Sequence, residues 1–221
     1  AGRAASKDSP DAAVILRTEA EIVVARDFSS RETWRTRAYL HTSEALDDLG
    51  TLRLPSDPPF TIATLVSARV IRPDGAQRLL NPAARSARLS AEADAKREQK
   101  KPDPAPPFIE LPEVTADCVV EAEWTIDRRA DGELPEFYNE WHLAERYPQR
   151  GLHLVVTLPR EARWRAFAPN LSAAPVVAET ADTVTRTWDL ADLPAFAPLP
   201  GDAPARTFAP WLGVSSVASW D

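Results

Sequence analysis

Residues 61–80 read TIATLVSARVIRPDGAQRLL, in which two strand-like runs flank Pro73–Asp74–Gly75. Pro presets the first turn angle, and Gly accepts a positive φ without steric cost. The stretch therefore predicts a β-hairpin. Because a hairpin is an antiparallel pair of strands, we expect the segments on either side of it to form strands as well.

Alternation of apolar and polar residues continues in both directions from the hairpin. Between residues 12 and 25 the apolar side chains fall on one parity, which is the two-residue period of a half-buried strand. Residues 31–41 alternate again, and a turn at 27–30 predicts that they pair antiparallel with the first strand. The same period recurs at 117–126. Further strands are predicted over 136–145, 152–158, 163–168, 175–179 and 183–190.

These patterns predict an all-β fold, with one antiparallel β-sandwich-like domain over residues 11–200. A helical turn at 43–49, with Ser43 as its N-cap, interrupts the strands. The small polar residues of 1–10 have no periodicity and predict a flexible lead-in. Residues 83–101 are rich in Ala, Arg, Glu and Lys but have no apolar stripe, so we expect a mobile excursion there.

The composition argues against several classes of protein. The chain of 221 residues has 21 Pro spread along its length, and each removes a backbone donor, so long helices are not expected. The net charge of −7 opposes a phosphate-binding surface, and nucleic acid is not an expected partner. No apolar run reaches the roughly eighteen residues that a membrane span needs. The sequence contains no Met, and we expect it to be a processed or excised piece of a longer protein.

Few residues offer chemistry for catalysis or for a cofactor. The single thiol, Cys118, lies in a strand pattern and is expected to be a buried core residue. Glu121 and Glu123 place two carboxylates on one strand face, where they could hydrolyse a glycosidic bond, but solvated strand faces have the same pattern. We predict no catalytic residue, no cofactor and no metal. The histidines are not spaced as metal ligands: His41, His142 and His153.

Aromatic side chains supply the candidate binding residues. Trp141 lies in the sequence FYNEW beside Tyr138, a cluster that could form a stacking platform for a sugar or a peptide. Trp211 and Trp220, near the C-terminal end, are expected to contact a part of the protein beyond this chain. The other Trp residues on predicted strands fall at core positions and are expected to pack inside: Trp34, Trp124, Trp164 and Trp188.

Four stretches together resemble a bacterial family, the domain of unknown function 3857, which typically precedes a transglutaminase-like core. RPDGA at 72–76 is similar to the family's hairpin, and LPEVTADCVVEAEW at 111–124 is similar to its central strand. TWDLADLPA at 187–195 and PWLGVSSVASWD at 210–221 are similar to its closing strand and to its junction with the next domain. Where the family commonly has a Gly before the central strand, this chain has Ala116–Asp117–Cys118.

The resemblance implies a β-sandwich-like architecture and a partner domain in the same polypeptide. The Cys, His and Asp of that transglutaminase-like core would lie beyond residue 221, so no catalytic residue is carried over to this chain. Residues 201–221 would be the junction toward the core, with Trp211 and Trp220 at the domain interface. A periplasmic, cell-envelope or exported location is implied by the resemblance alone.

Three functions are considered on these grounds. The favoured one is a non-catalytic accessory domain, a scaffold or a substrate-presenting unit, N-terminal to a transglutaminase- or protease-like catalytic core. The alternative is a free-standing β-sandwich module that binds glycan or peptide through Tyr138 and Trp141. A hydrolase that uses Glu121 and Glu123 is the least favoured.

Overall fold

The computed structural model describes residues 12–55, 60–80, 108–130, 136–171, 173–196, 207 and 209–217. The predicted lead-in and the predicted excursion lie outside these residues. Within them the chain forms thirteen strands, and a 3-10 turn at Ser43–Ala45 leads into one short helix, α1 (Leu46–Leu49). The strands are β1 (Ala13–Val24), β2 (Ser30–Leu40), β3 (Thr51–Arg53), β4 (Thr61–Ile71), β5 (Gln77–Leu80), β6 (Phe108–Glu110), β7 (Cys118–Arg128), β8 (Tyr138–His142), β9 (Gln149–Pro159), β10 (Arg165–Phe167), β11 (Val176–Glu179), β12 (Thr183–Leu193) and β13 (Trp211–Ser215).

Eight strands form one large sheet in the order β11-β12-β9-β1-β2-β7-β4-β5. Its neighbouring strands are antiparallel with one exception, because β1 and β9 run parallel and pair Thr18 with Leu152. The prediction of an all-β fold is confirmed, but the sheet is mixed rather than purely antiparallel. A parallel pair requires a crossover connection, and the chain between Val24 and Gln149 supplies it.

The hairpin predicted at 61–80 is present as β4 and β5. The Gly75 N–H donates to the Arg72 carbonyl oxygen over 2.9 Å, and the Asp74 carboxylate accepts from the Ala76 N–H at 2.9 Å. Gly75 has a φ of 84°, a left-handed conformation that favours glycine. The turn chemistry read from the sequence is therefore the chemistry that closes this hairpin.

A three-stranded sheet, β10-β13-β8, packs against one face of the large sheet. The interface is a hydrophobic core in which Leu154, Trp188 and Leu212 are at most 1 % exposed. Two sheets enclosing a core give the sandwich-like arrangement that was predicted. Since β13 contributes Leu212 and Val214 to this core, the domain extends past the boundary predicted at residue 200.

A second core lies farther along the same face of the large sheet. It holds Leu40, Val70 and Cys118, each fully buried, and α1 and the two-stranded sheet β3-β6 lie beside it. Cys118 is thus the core residue that the strand pattern predicted. The 3-10 turn is capped by Thr42, whose hydroxyl accepts from the Glu44 N–H at 3.3 Å, rather than by the predicted Ser43.

Candidate functional site

The opposite face of the large sheet is open to solvent and carries rows of charged side chains. Antiparallel pairing of β1, β2, β7 and β4 aligns Arg17, Arg37, Glu121 and Arg69 directly across the sheet. We call these four residues the arginine row. Side chains that are cross-strand partners on one face lie close enough to interact.

Within the arginine row, Glu121 is a bridge between two guanidinium groups. Arg37 Nε lies 3.2 Å from one carboxylate oxygen of Glu121, and Arg69 Nε donates to the other. Arg17 turns along its own strand, and its Nε lies 2.6 Å from Glu19. This contact lowers the pKa of Glu19 through the hydrogen bond from Arg17. The carboxylate of Glu121 is 19 % exposed, whereas the three arginine side chains are 42–55 % exposed.

A second row runs beside the first. Glu19, Arg35 and Glu123 are successive cross-strand partners on β1, β2 and β7, and Arg35 donates to Glu123 over 3.1 Å. The hydrogen bond from Arg35 to Glu123 raises the pKa of Arg35. Between the two rows lies a shallow groove of about 490 Å³, lined by residues of both. This groove is our candidate functional site.

Glu121 and Glu123, which sequence patterns placed on one strand face, do lie on that face together. Each is held by arginine: Glu121 by Arg37 and Arg69, and Glu123 by Arg35. Hydrolysis of a glycosidic bond requires carboxyl groups that can reach the substrate, whereas both oxygens of Glu121 and one oxygen of Glu123 are in contact with guanidinium groups. The arrangement therefore suits an ion-pair network better than glycoside hydrolysis.

The core face of the sheet holds a buried carboxylate that sequence reasoning missed. Glu32 on β2 is 1 % exposed and accepts four hydrogen bonds. Trp34 Nε1 and Trp141 Nε1 donate to Oε2 over 2.8 and 3.2 Å. Arg128 Nε and Asn139 Nδ2 each donate to Oε1 over 3.0 Å. Two of the donors come from β8, so Glu32 joins the large sheet to the three-stranded sheet.

A signal for this carboxylate was present in the sequence. Glu32 shares the parity of Trp34 and Leu40 on β2, and residues on that parity were expected to face the core. A charged residue at a core position is buried only when it is paired and hydrogen-bonded. Its partners on β8 lie over a hundred residues away, which is why local patterning could not supply them.

The predicted stacking platform at FYNEW is not formed. Trp141 is 5 % exposed and its indole is committed to Glu32, whereas Tyr138 is 47 % exposed. The two residues have opposite parity on β8 and therefore face opposite sides of the three-stranded sheet. The interpretation of Trp141 as a surface binding residue is wrong because the ring belongs to the core.

The predicted interface residues are placed only in part. Trp211 is partly buried on β13, where it pairs with His142 of β8. A Cβ on Gly213 would come within 2.6 Å of the Trp211 ring, so the ring lies across this glycine. Trp220 lies outside the described residues. A contact between either residue and another domain stays a prediction.

The thiol and the imidazoles have no arrangement that points to catalysis or to a metal. Burial raises the pKa of the Cys118 thiol, the reverse of what a nucleophilic cysteine requires. His153 Nδ1 lies 2.7 Å from Asp189 on the solvent face, and the Tyr39 and His41 rings meet edge to face at 5.1 Å. Among the described residues, no three His, Cys, Asp or Glu side chains converge as a metal site would need.

In the same part of the chain, no helix has the length and apolar character of a membrane span.

Comparison with known protein families identifies the family of this chain. Residues 26–197 match the domain of unknown function 3857 (DUF3857), a family with solved structures. The chain belongs to this family. The match begins in the turn before β2 and runs through β12, so it covers seven of the eight strands of the large sheet. A comparison with curated proteins finds no match.

A solved structure shows the same fold within a longer protein. A putative protease from Parabacteroides distasonis is 16 % identical, with a TM-score of 0.75, over 94 % of this DUF3857 chain and 41 % of the protease chain. An M1 zinc metallopeptidase from Deinococcus radiodurans is 12 % identical over 92 % of this chain and 42 % of its own, with a TM-score of 0.46. At these identities the likeness to the putative protease is one of fold, and the DUF3857 chain spans less than half of that protein.

Proposed function

We propose that this chain is a non-catalytic accessory domain that precedes a transglutaminase- or protease-like catalytic core in a longer polypeptide. In that protein it acts as a scaffold for the core or presents substrate to it. One observation carries the proposal: nearly all of this chain is matched in fold by 41 % of a putative protease. Membership of the domain of unknown function 3857 adds support over residues 26–197.

The chemistry of the described residues supports an accessory role. On the solvent face Glu121 and Glu123 are held by arginines, the thiol of Cys118 is buried, and the carboxylate of Glu32 is enclosed by four donors. Catalysis requires a reacting group that can reach substrate. On this basis the nucleophile and base of the longer protein belong to its other domain.

The test uses the reading frame that contains this sequence. Three forms are expressed: the whole encoded protein, residues 1–221 alone, and the whole protein without residues 12–217. Hydrolysis and transamidation of casein peptides are then measured. We expect turnover by the whole protein, none by residues 1–221, and a raised KM or a lower melting temperature after the deletion.

Two results would overturn the proposal. One is a reading frame that encodes no papain-like Cys and His beyond residue 221. The other is turnover by residues 1–221 alone, which is then lost in Glu123→Gln and retained in the matched control Glu21→Gln. A periplasmic or cell-envelope location is also part of the proposal, on the strength of the family resemblance, and fractionation of cells that make the whole protein tests it.

A further inference from the structure

The arginine row has an unusual charge arrangement for a solvated sheet face. Arg17 and Arg37 are direct cross-strand partners, and like charges in that position destabilise a pair of strands. Across four strands the row has three arginines and a single carboxylate, Glu121, in a protein whose net charge is −7. Counted together with the second row, the charged groups that line the groove are four arginines and three carboxylates, so the groove keeps a local excess of positive charge on an acidic protein.

The hydrogen-bonding capacity of the row is also unbalanced. Each guanidinium has five N–H donors, so three of them carry about fifteen, whereas the carboxylates of Glu19 and Glu121 together accept about eight hydrogen bonds. The three arginines contact these carboxylates through Nε, and Arg69 Nη1 also donates to Gln77 over 3.4 Å. The three arginines line the groove, where a ligand that brings further carboxylates can accept their remaining N–H groups in bidentate geometry.

An apolar side chain ends the row. Arg69 pairs with Leu79 on the edge strand β5, and Leu79 is 75 % exposed. Val66, which lies on β4 together with Arg69, is 47 % exposed. A ligand that spans the row would therefore meet cationic groups first and aliphatic groups at one end.

We propose that the arginine row binds an extended acidic peptide that carries an apolar residue at one end. Three strand spacings separate Arg17 from Arg69, about 14 Å, which is the length of about four residues of extended chain. Nucleic acid offers anionic charge but no apolar end group, and polyanionic glycan likewise lacks one. This binding activity goes beyond the accessory role, and either can hold without the other.

The test is fluorescence anisotropy on the whole chain. The probe is a labelled hexapeptide of four Glu followed by two Leu, and the control probe has four Gln in place of the four Glu. We expect the Glu peptide to bind about tenfold more tightly, since charge-assisted hydrogen bonds to arginine are stronger than neutral ones. Its affinity should fall as salt is raised from 50 to 300 mM, because the Debye length shortens from about 14 to about 6 Å and exposed charges are then screened more strongly.

Variants locate the binding surface. Arg17→Gln and Arg37→Gln should each weaken the Glu peptide about fivefold or more and leave the Gln peptide unchanged. The matched control is Arg31→Gln, because Arg31 lies on the same face of β2, is 65 % exposed and is outside the row; its affinity should stay within about twofold of the wild type. Arg17 is 55 % exposed and contacts Glu19 on its own strand, so its replacement keeps the test valid if Arg37→Gln fails to fold.

Three outcomes would overturn the proposal. The first is equal affinity for the Glu and Gln peptides. The second is an equal loss in Arg31→Gln and Arg37→Gln, which indicates binding by net charge alone. The third is tighter binding of a labelled oligonucleotide or of polygalacturonate than of the Glu peptide. None of these results bears on whether a catalytic core follows the chain.

Discussion

Trp141 donates its indole N–H to the carboxylate of Glu32 across the interface between the two sheets, over 3.2 Å. Trp34 donates to the same oxygen from the same strand as Glu32. This relationship decides the role of the FYNEW segment, because it fixes Trp141 in the core and leaves Tyr138 outside. It also joins the two sheets by hydrogen bonds within an otherwise apolar interface.

The first prediction concerns the charge of Glu32. In Glu32→Gln the side chain keeps its shape, but its amide N–H groups face donors and the guanidinium of Arg128 loses the carboxylate with which it forms an ion pair. Removing one member of a buried ion pair costs about 3 to 5 kcal/mol. We therefore expect urea unfolding, followed by Trp fluorescence, to show a loss of about 3 kcal/mol.

A matched control separates burial from charge. Glu21→Gln removes a carboxylate from the solvent face of β1, where substitutions generally change stability by about 0.5 kcal/mol or less. Equal effects of the two substitutions would contradict the role assigned to Glu32.

The second prediction sets Trp141 against Tyr138. Trp141→Leu removes a buried ring and leaves Glu32 with one donor fewer, so we expect a loss of about 3 kcal/mol in the free energy of unfolding. Tyr138→Leu changes a side chain that is 47 % exposed and should cost less than about 1 kcal/mol. Thermal melts followed by near-UV circular dichroism compare them, and a larger loss in Tyr138→Leu would count against the burial assigned here.

Much of the strand content could be predicted because alternation is a local property. β1, β2, β4, β7 and β12 begin and end within a few residues of the expected positions. Pairing is not local, and the parallel contact between β1 and β9 joins segments more than a hundred residues apart in sequence. No pattern within either strand specifies that partner, which is why a purely antiparallel sheet was expected.

In the candidate site, too, local features could be predicted from the sequence and the contacts between strands could not. Glu121 and Glu123 were correctly placed on one face, since strand parity fixes it. The partners that decide their chemistry, Arg35, Arg37 and Arg69, lie on two other strands, and their positions depend on register. Register is set by the whole sheet, so a carboxylate pair in the sequence could not be distinguished from an ion-pair network.

The third prediction concerns Asp117, in the stretch Ala116–Asp117–Cys118 that differs from the Gly expected before the central strand by family resemblance. Asp117 has a φ of 61°, and its carboxylate accepts a hydrogen bond from the Tyr39 hydroxyl over 2.7 Å. Asp tolerates the left-handed conformation better than most residues, and this hydrogen bond offsets part of its strain. The position therefore retains the backbone that Gly would adopt.

A pair of variants isolates that strain. Asp117→Gly and Asp117→Ala both lose the hydrogen bond to Tyr39 and differ only in the Cβ atom. Ala ordinarily stabilises a chain relative to Gly, but at a positive φ the Cβ costs about 1 kcal/mol. We expect Asp117→Gly to be the more stable of the two in urea unfolding, and the opposite order would show that the turn is not left-handed in solution.

The fourth prediction is a loss of stability at alkaline pH through Tyr147. This residue is 7 % exposed, and burial, together with the hydrogen bond that its hydroxyl donates to Asp48 over 2.7 Å, raises its pKa from 10 to about 12. Between these pH values the unfolded chain has lost the phenolic proton and the folded chain has kept it. Because the unfolded state then binds fewer protons, the free energy of unfolding falls as pH rises, by about 2 kcal/mol over the window.

Tyr147→Phe is the variant that checks this dependence. Without the hydroxyl, the contribution of residue 147 to the free energy of unfolding no longer depends on pH. The pKa of Cys118 is also raised by burial, but its effect on the free energy of unfolding is the same in both proteins. The wild type should be more stable than Tyr147→Phe by about 1 kcal/mol at pH 8, the worth of one hydrogen bond. That difference should fall by about 2 kcal/mol between pH 10 and pH 12 in urea titrations, so that Tyr147→Phe becomes the more stable protein at the alkaline end. A constant difference across the range would mean that Tyr147 titrates alike in the folded and unfolded chain.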